Sequence, residues 1–115
     1  MRDDKKNLIV DMTFQFALDV IEFCDLLEEK RKYKMANQLW GSGTSIGANV
    51  REAQNAESKS DFIHKMKIAC KEADETEYWL LLCKYSKSYP ANEKLLSKAV
   101  EIIRIISKII STSKQ

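Results

Sequence analysis

Between Phe62 and Cys83 the positions Phe62, Met66, Ala69, Ala73, Thr76, Leu80 and Cys83 alternate spacings of four and three without a break. Only a helix returns side chains to one face at that average period, and a seam of this kind packs against other helices at shallow crossing angles. A strand would need alternation by two. The chain therefore contains a long helix that requires helical neighbours.

The rest of the sequence supplies them. From about residue 5 to 29, Ile9, Phe16, Val20, Phe23 and Leu27 fall on one helical face. A second strip of Val10, Ala17, Ile21 and Cys24 lies beside it, with Asp11, Asp19, Glu22, Asp25 and Glu28 toward solvent. From about 35 to 55, Met35, Leu39, Ile46, Val50 and Ala53 repeat at helical spacing, although Gly41, Gly43 and Gly47 interrupt them. Each glycine costs about 1 kcal/mol relative to alanine inside a helix, so either a neighbouring backbone packs closely along the small face, or the helix breaks near Gly41 and restarts at Thr44 or Ser45. Ser58 with Asp61 marks a capping-box start for the seam helix, about 60–87. Tyr89-Pro90-Ala91-Asn92 is a turn, with Asn92 or Ser88 as the cap. From about 93 to 111, Leu95, Ala99, Ile102, Ile106 and Ile109 form one strip and Leu96, Val100, Ile103 and Ile110 another; Ser111 to Gln115 should fray.

Four amphipathic segments with short connections predict an all-α antiparallel up-down-up-down four-helix bundle, one domain over residues 1–115. Three glycines and one proline leave too little turn chemistry for an all-β alternative.

Net charge is only +2, from 19 basic and 17 acidic side chains, but it is unevenly placed. Residues 1–30 carry four basic and eight acidic groups, 31–60 five and two, 61–88 five and five, and 89–115 five and two. Cys24, Cys70 and Cys83 are odd in number and sit at apolar-periodic positions, which predicts buried free thiols and a reducing, cytoplasmic setting. The charged start, Met1 to Lys6, does not read as a signal peptide, and no apolar run approaches the ~20 residues of a membrane span.

Catalytic and metal chemistry find no footing. A di-iron bundle needs Glu-x-x-His on two helices, and the one histidine, His64, follows Asp61 in the spacing Asp-x-x-His, which reads as a plain surface or bundle-edge residue. Gly41-Ser-Gly43 is too short for a phosphate loop. The expectation is a non-enzyme without cofactor.

Three groups of residues remain informative. Ser45, Asn49 and Glu52 share one side of helix two, and Lys71, Glu72 and Glu75 lie together on helix three; they read as a register-fixing network between helices or as a recognition site. Tyr78, Trp79, Leu82 and Tyr85 belong to a stretch that is apolar all round, which predicts an oligomer interface, as does the doubled strip of helix four. Arg31, Lys32 and Lys34 cluster at the first turn, and Arg51 and Lys59 flank the far end of helix two. At about 1.5 Å per residue the two groups lie roughly 25–30 Å apart, as separate candidate nucleic-acid contacts.

The motifs Ser45-Ile46-x-x-Asn49, Ser58-x-x-Asp61-Phe62 and Lys71-Glu72-Ala73-x-Glu75-Thr76-x-Tyr78-Trp79-Leu80 together resemble the four-helix-bundle family encoded by intervening sequences of bacterial large-subunit ribosomal RNA genes. The resemblance spans essentially the whole chain. Many relatives have Glu-Gly where this chain has Glu52-Ala53, which implies a longer second helix here. It also implies a homopentamer, and kinship with accessory proteins of diversity-generating retroelements that bind nucleic acid and a reverse transcriptase through basic surface. It supplies no catalytic residue.

Two functions stay open: a homo-oligomeric scaffold that binds RNA or a nucleic-acid-handling partner through basic patches, and a purely structural or protein–protein interaction module.

Overall fold

The computed structural model describes residues 7–115, which form four helices and no strand: α1 Leu8–Glu29, α2 Tyr33–Ala53, α3 Lys59–Tyr85 and α4 Glu93–Ser113. The expected start of helix one near Lys5, and the charged start of the chain, lie outside the described residues. Helix two begins and ends earlier than its spacing predicts, and α4 continues through Ser111 to Ser113.

Local chemistry accounts for the boundaries. The side chains of Asn7, Ser58 and Asn92 accept from the backbone N–H three residues on, at Val10, Asp61 and Leu95. Each satisfies a donor that the first helical turn leaves free. At Ser58 the cap is reciprocal in kind, because Asp61 Oδ2 accepts from the backbone N–H of Glu57 at 3.2 Å. That bond, then the Lys65 ammonium, holds the Asp61 carboxyl below its usual range.

The end of α1 is tighter. Arg31 N–H donates to Glu28 O at 2.9 Å and Lys32 N–H to Leu27 O at 2.8 Å, the paired bonds of a Schellman closure. The left-handed residue this closure requires is Arg31, with φ 62°. Glycine meets that demand without a Cβ penalty, so Arg31→Gly should raise stability by about 1 kcal/mol, read as a shifted urea midpoint with unchanged slope. An unchanged or lowered midpoint would show that the arginine side chain offsets the strain.

Hydrogen bonds between helices fix their neighbours. The side chains of Asn7 and Gln54 join the start of α1 to the residue after α2, Cys24 Sγ donates to Ala36 O at 3.3 Å, and the hydroxyls of Ser42 and Thr76 join α2 to α3 at 2.9 Å. Lys84 pairs with Glu93 across the last connection at 3.3 Å, and Lys59 Nζ donates to Gln115 O at 3.0 Å. These contacts are compatible with an up-down-up-down course in a molecule of 45 × 21 × 20 Å.

The glycines follow from the α1–α2 contact. Helix α2 runs unbroken through all three. A Cβ on Gly43 would lie 2.7 Å from a methyl of Val20, and one on Gly47 would lie 3.2 Å from the backbone carbonyl oxygen of Thr13, whereas one on Gly41 would meet nothing within 4 Å. Two glycines therefore admit α1, and the third has no packing reason.

The core contains Phe16, Val20, Leu27, Leu39, Ile46, Met66, Leu80, Ile102 and Ile106. The doubled strip of α4 is largely absorbed within the chain: Leu96 is buried, and Ile103 and Ile110 pack against the core. Val100, Ile103, Ile109 and Ile110 keep an intermediate exposure on its outer side.

Candidate functional site

The first turn carries the densest cations. Its geometry brings a second loop to them: Lys32 Nζ stands 4.7 Å over the ring of Tyr89, which belongs to the α3–α4 connection about 57 residues later. Lys84 Nζ lies 5.3 Å from the centroid of Tyr85, and its bond to Glu93 raises its pKa. One end of the bundle thus gathers Arg31, Lys32, Lys34, Lys84 and Lys87 with Tyr33, Tyr85 and Tyr89. Tyr85 is 76% exposed and Tyr33 55% exposed. Cations with open aromatic faces are the elements that bind phosphates and stack on unpaired bases. Only the first three cations were legible as a cluster; the others join them by folding.

Arg51 and Lys59 sit at the opposite end. Arg51 is exposed beside a small groove with Phe14, Thr44 and Ala48, and Lys59 is hydrogen-bonded to Gln115 O.

The six residues expected to form a network between helices do not bond across them. Ser45 Oγ donates to Gly41 O and Asn49 Nδ2 to Ser45 O, both within α2. Glu52 and Lys71 are exposed, and among the described residues Lys71 pairs with neither Glu72 nor Glu75. Burial, then Glu75, pushes the Glu72 carboxyl above its usual range. The polar link between α2 and α3 is instead the buried Ser42–Thr76 pair, with Glu72 O on the preceding turn 2.8 Å from Thr76 Oγ1 as the alternative acceptor of its one proton. Helical geometry lets small hydroxyls satisfy themselves on the preceding turn, which is why spacing alone misplaced this network.

Of the expected interface residues, Tyr78, Leu82 and Tyr85 form an exposed stripe at spacings of four and three. Trp79 turns away, half-buried against the core, with Nε1 donating to Glu75 at 3.4 Å. A second exposed set, Phe14, Leu18 and Trp40, escaped the periodic reading because each stands one helical step from a core strip.

The thiols are also unequal. Cys24 and Cys83 are buried, but Cys70 is half-buried, 3.7 Å from Ser107 Oγ, because its position faces the α3–α4 groove and not the centre. Burial, then Glu28 and Asp25, pushes the Cys24 thiol up to about 12, and burial pushes Cys83 to about 11. Thiol titration with an aromatic disulfide near pH 8 should label Cys70 quickly and the other two only in denaturant. The unfolded thiols ionise near 9 while the folded ones stay protonated, so the unfolded state holds fewer protons and stability should fall as pH rises from about 9 toward 11. Three equally fast thiols would contradict the burial.

Among the described residues no group of three or more His, Cys, Asp or Glu side chains is placed to hold a metal, and no helix is long and apolar enough to cross a membrane.

Fold and surface together define an all-α four-helix protein whose distinguishing features are charged ends and exposed aromatic stripes. The family model for the 23S rRNA-intervening sequence protein matches residues 5–108, and the chain belongs to that family. A solved structure of a protein of unknown function from the S23 ribosomal protein family, from Bacteroides thetaiotaomicron VPI-5482, is similar with a TM-score of 0.79 and 39% identity, covering 90% of this chain and 98% of that one. No curated protein matches the chain.

Proposed function

We propose that the protein is a non-enzymatic, cytoplasmic, homo-oligomeric scaffold, an up-down-up-down bundle that binds RNA through its basic, tyrosine-bearing end. The observation that carries this reading is the seating of Lys32 on Tyr89, which joins two sequence-distant loops into one surface of cations and open rings. A strained, left-handed Arg31 at the same place fits a position kept for its charge. Subunits arranged in a ring, with five copies favoured by the resemblance to the family, would repeat each end as a basic belt and multiply a weak contact by valency.

The test is binding of a labelled fragment of large-subunit ribosomal RNA at 50 and 200 mM salt. Replacing Arg31, Lys32 and Lys34 together with Gln should weaken binding at least tenfold and lower the salt slope by about 2–3, since each lost phosphate contact removes nearly one unit. Light scattering should return a multiple of 13.3 kDa for parent and variant alike. Unchanged affinity would remove this surface from consideration, and a monomer at micromolar concentration would refute the oligomer. The exposed stripe of Tyr78, Leu82 and Tyr85 favours a second reading, a protein–protein interaction module without RNA. Failure of the parent to bind RNA at low salt would select it.

A further inference from the structure

Along the α3–α4 contact, from the start of α3 inward, lie two adjoining shallow depressions of about 640 and 460 Å3 that share Lys67 and Lys114. Their lining follows helical spacing on both walls. Ser60, His64, Lys67 and Lys71 recur along α3 by fours and threes, and Ser107, Ser111 and Lys114 do so along α4. Every one of these side chains can donate a hydrogen bond. Four lysines, Lys59, Lys67, Lys71 and Lys114, against Asp74, the one acidic residue in the lining, leave a local charge of +3 (4 − 1) before His64 is counted. Cys70 and Ser107 touch across the floor, so the two donor stripes face one groove.

We propose that this groove holds the sugar–phosphate backbone of a single RNA strand, a second contact separate from the tyrosine-bearing end and resting on the RNA-binding reading above. The depressions lie open to solvent along the α3–α4 contact, so a strand laid on this face meets donors from both helices. Lys67 and Lys71 stand one turn apart, about 6 Å along the axis, and Ser60 and His64 continue the same face, so a strand laid in the groove meets a hydrogen-bond donor at each step. No Phe, Tyr or Trp lines the groove, so the contact is made chiefly to phosphates.

The experiment measures fluorescence anisotropy of a labelled 12-nucleotide oligo(U) at 50 and 200 mM salt. The Lys67→Gln/Lys71→Gln/Lys114→Gln variant is compared with the parent and with the Gln variant of Arg31, Lys32 and Lys34. These lysines are surface groups, and unchanged melting curves will verify that the fold is kept. The groove variant should bind at least tenfold more weakly, with a salt slope lower by about 2, from about 0.7 per lost single-strand contact. Oligo(A) of the same length should bind within threefold of oligo(U). Parent-like binding by the groove variant, with loss only in the loop variant, would overturn the groove and leave the RNA reading intact. No binding by the parent would overturn both. Poly-glutamate of equal charge, or a 12-base-pair duplex, binding as tightly as oligo(U) would also overturn it, since an acidic peptide or a duplex would then be the fitting occupant.

Discussion

Gly47→Leu is expected to destabilise the protein by more than about 2 kcal/mol, through overpacking at the α1–α2 contact. A Cβ at this position would already stand 3.2 Å from the carbonyl oxygen of Thr13 and 3.3 Å from its carbonyl carbon. Backbone cannot rotate away as a side chain can, so α1 must shift along its length. Helix propensity acts in the opposite direction, favouring leucine over glycine by somewhat under 1 kcal/mol, so a net loss isolates the packing effect. Gly41→Ala is the control: with nothing within 4 Å, it should gain up to about 1 kcal/mol. Chemical denaturation of both variants decides the matter, and a Gly47→Leu protein as stable as the parent would mean that the two helices are farther apart than described.

Phe16→Ala should cost about 3–5 kcal/mol, the range for removing a buried aromatic ring and leaving a cavity. Phe16 is 1% exposed at the centre of α1's inner face, while Phe14, two residues before it, is 58% exposed. Two residues are about 200° of helical turn, so the same chemical change on the other side should move stability by no more than about 0.5 kcal/mol in an isolated chain. The pair of variants, melted side by side, tests the facing of α1 directly. Equal losses would be informative in a second way, because they would require another copy of the chain to cover Phe14.

Much of this arrangement is legible in periodicity. The seam from Phe62 to Cys83 runs down the inner side of α3, with Met66, Ala69, Ala73, Thr76, Leu80 and Cys83 all buried. The strip Ile9, Phe16, Val20, Phe23 and Leu27 is likewise buried on α1, and Ser58 caps α3 as its spacing with Asp61 predicts. Such signals are local: a residue's face follows from its position modulo the helical turn, and a cap follows from one side chain and a backbone donor three residues away.

The candidate site is a different case. Arg31, Lys32 and Lys34 are neighbours in the chain and could be recognised together, but Tyr89 meets Lys32 only because the α3–α4 connection returns to the same end. The groove of Lys67, Lys71 and Lys114 likewise needs α4 to lie beside α3. The proposed network failed for the complementary reason: Ser45 and Asn49 could satisfy their hydrogen bonds on their own helix, while Ser42 and Thr76, unremarkable in sequence, were brought within 2.9 Å by packing. Number of helices, inner faces and caps are encoded within windows of one or two turns, so the amino-acid order was enough to state them. Which loops share an end, which helices form a cationic groove and which glycine admits a neighbour depend on contacts between residues tens of positions apart, and those are set only when the helices pack.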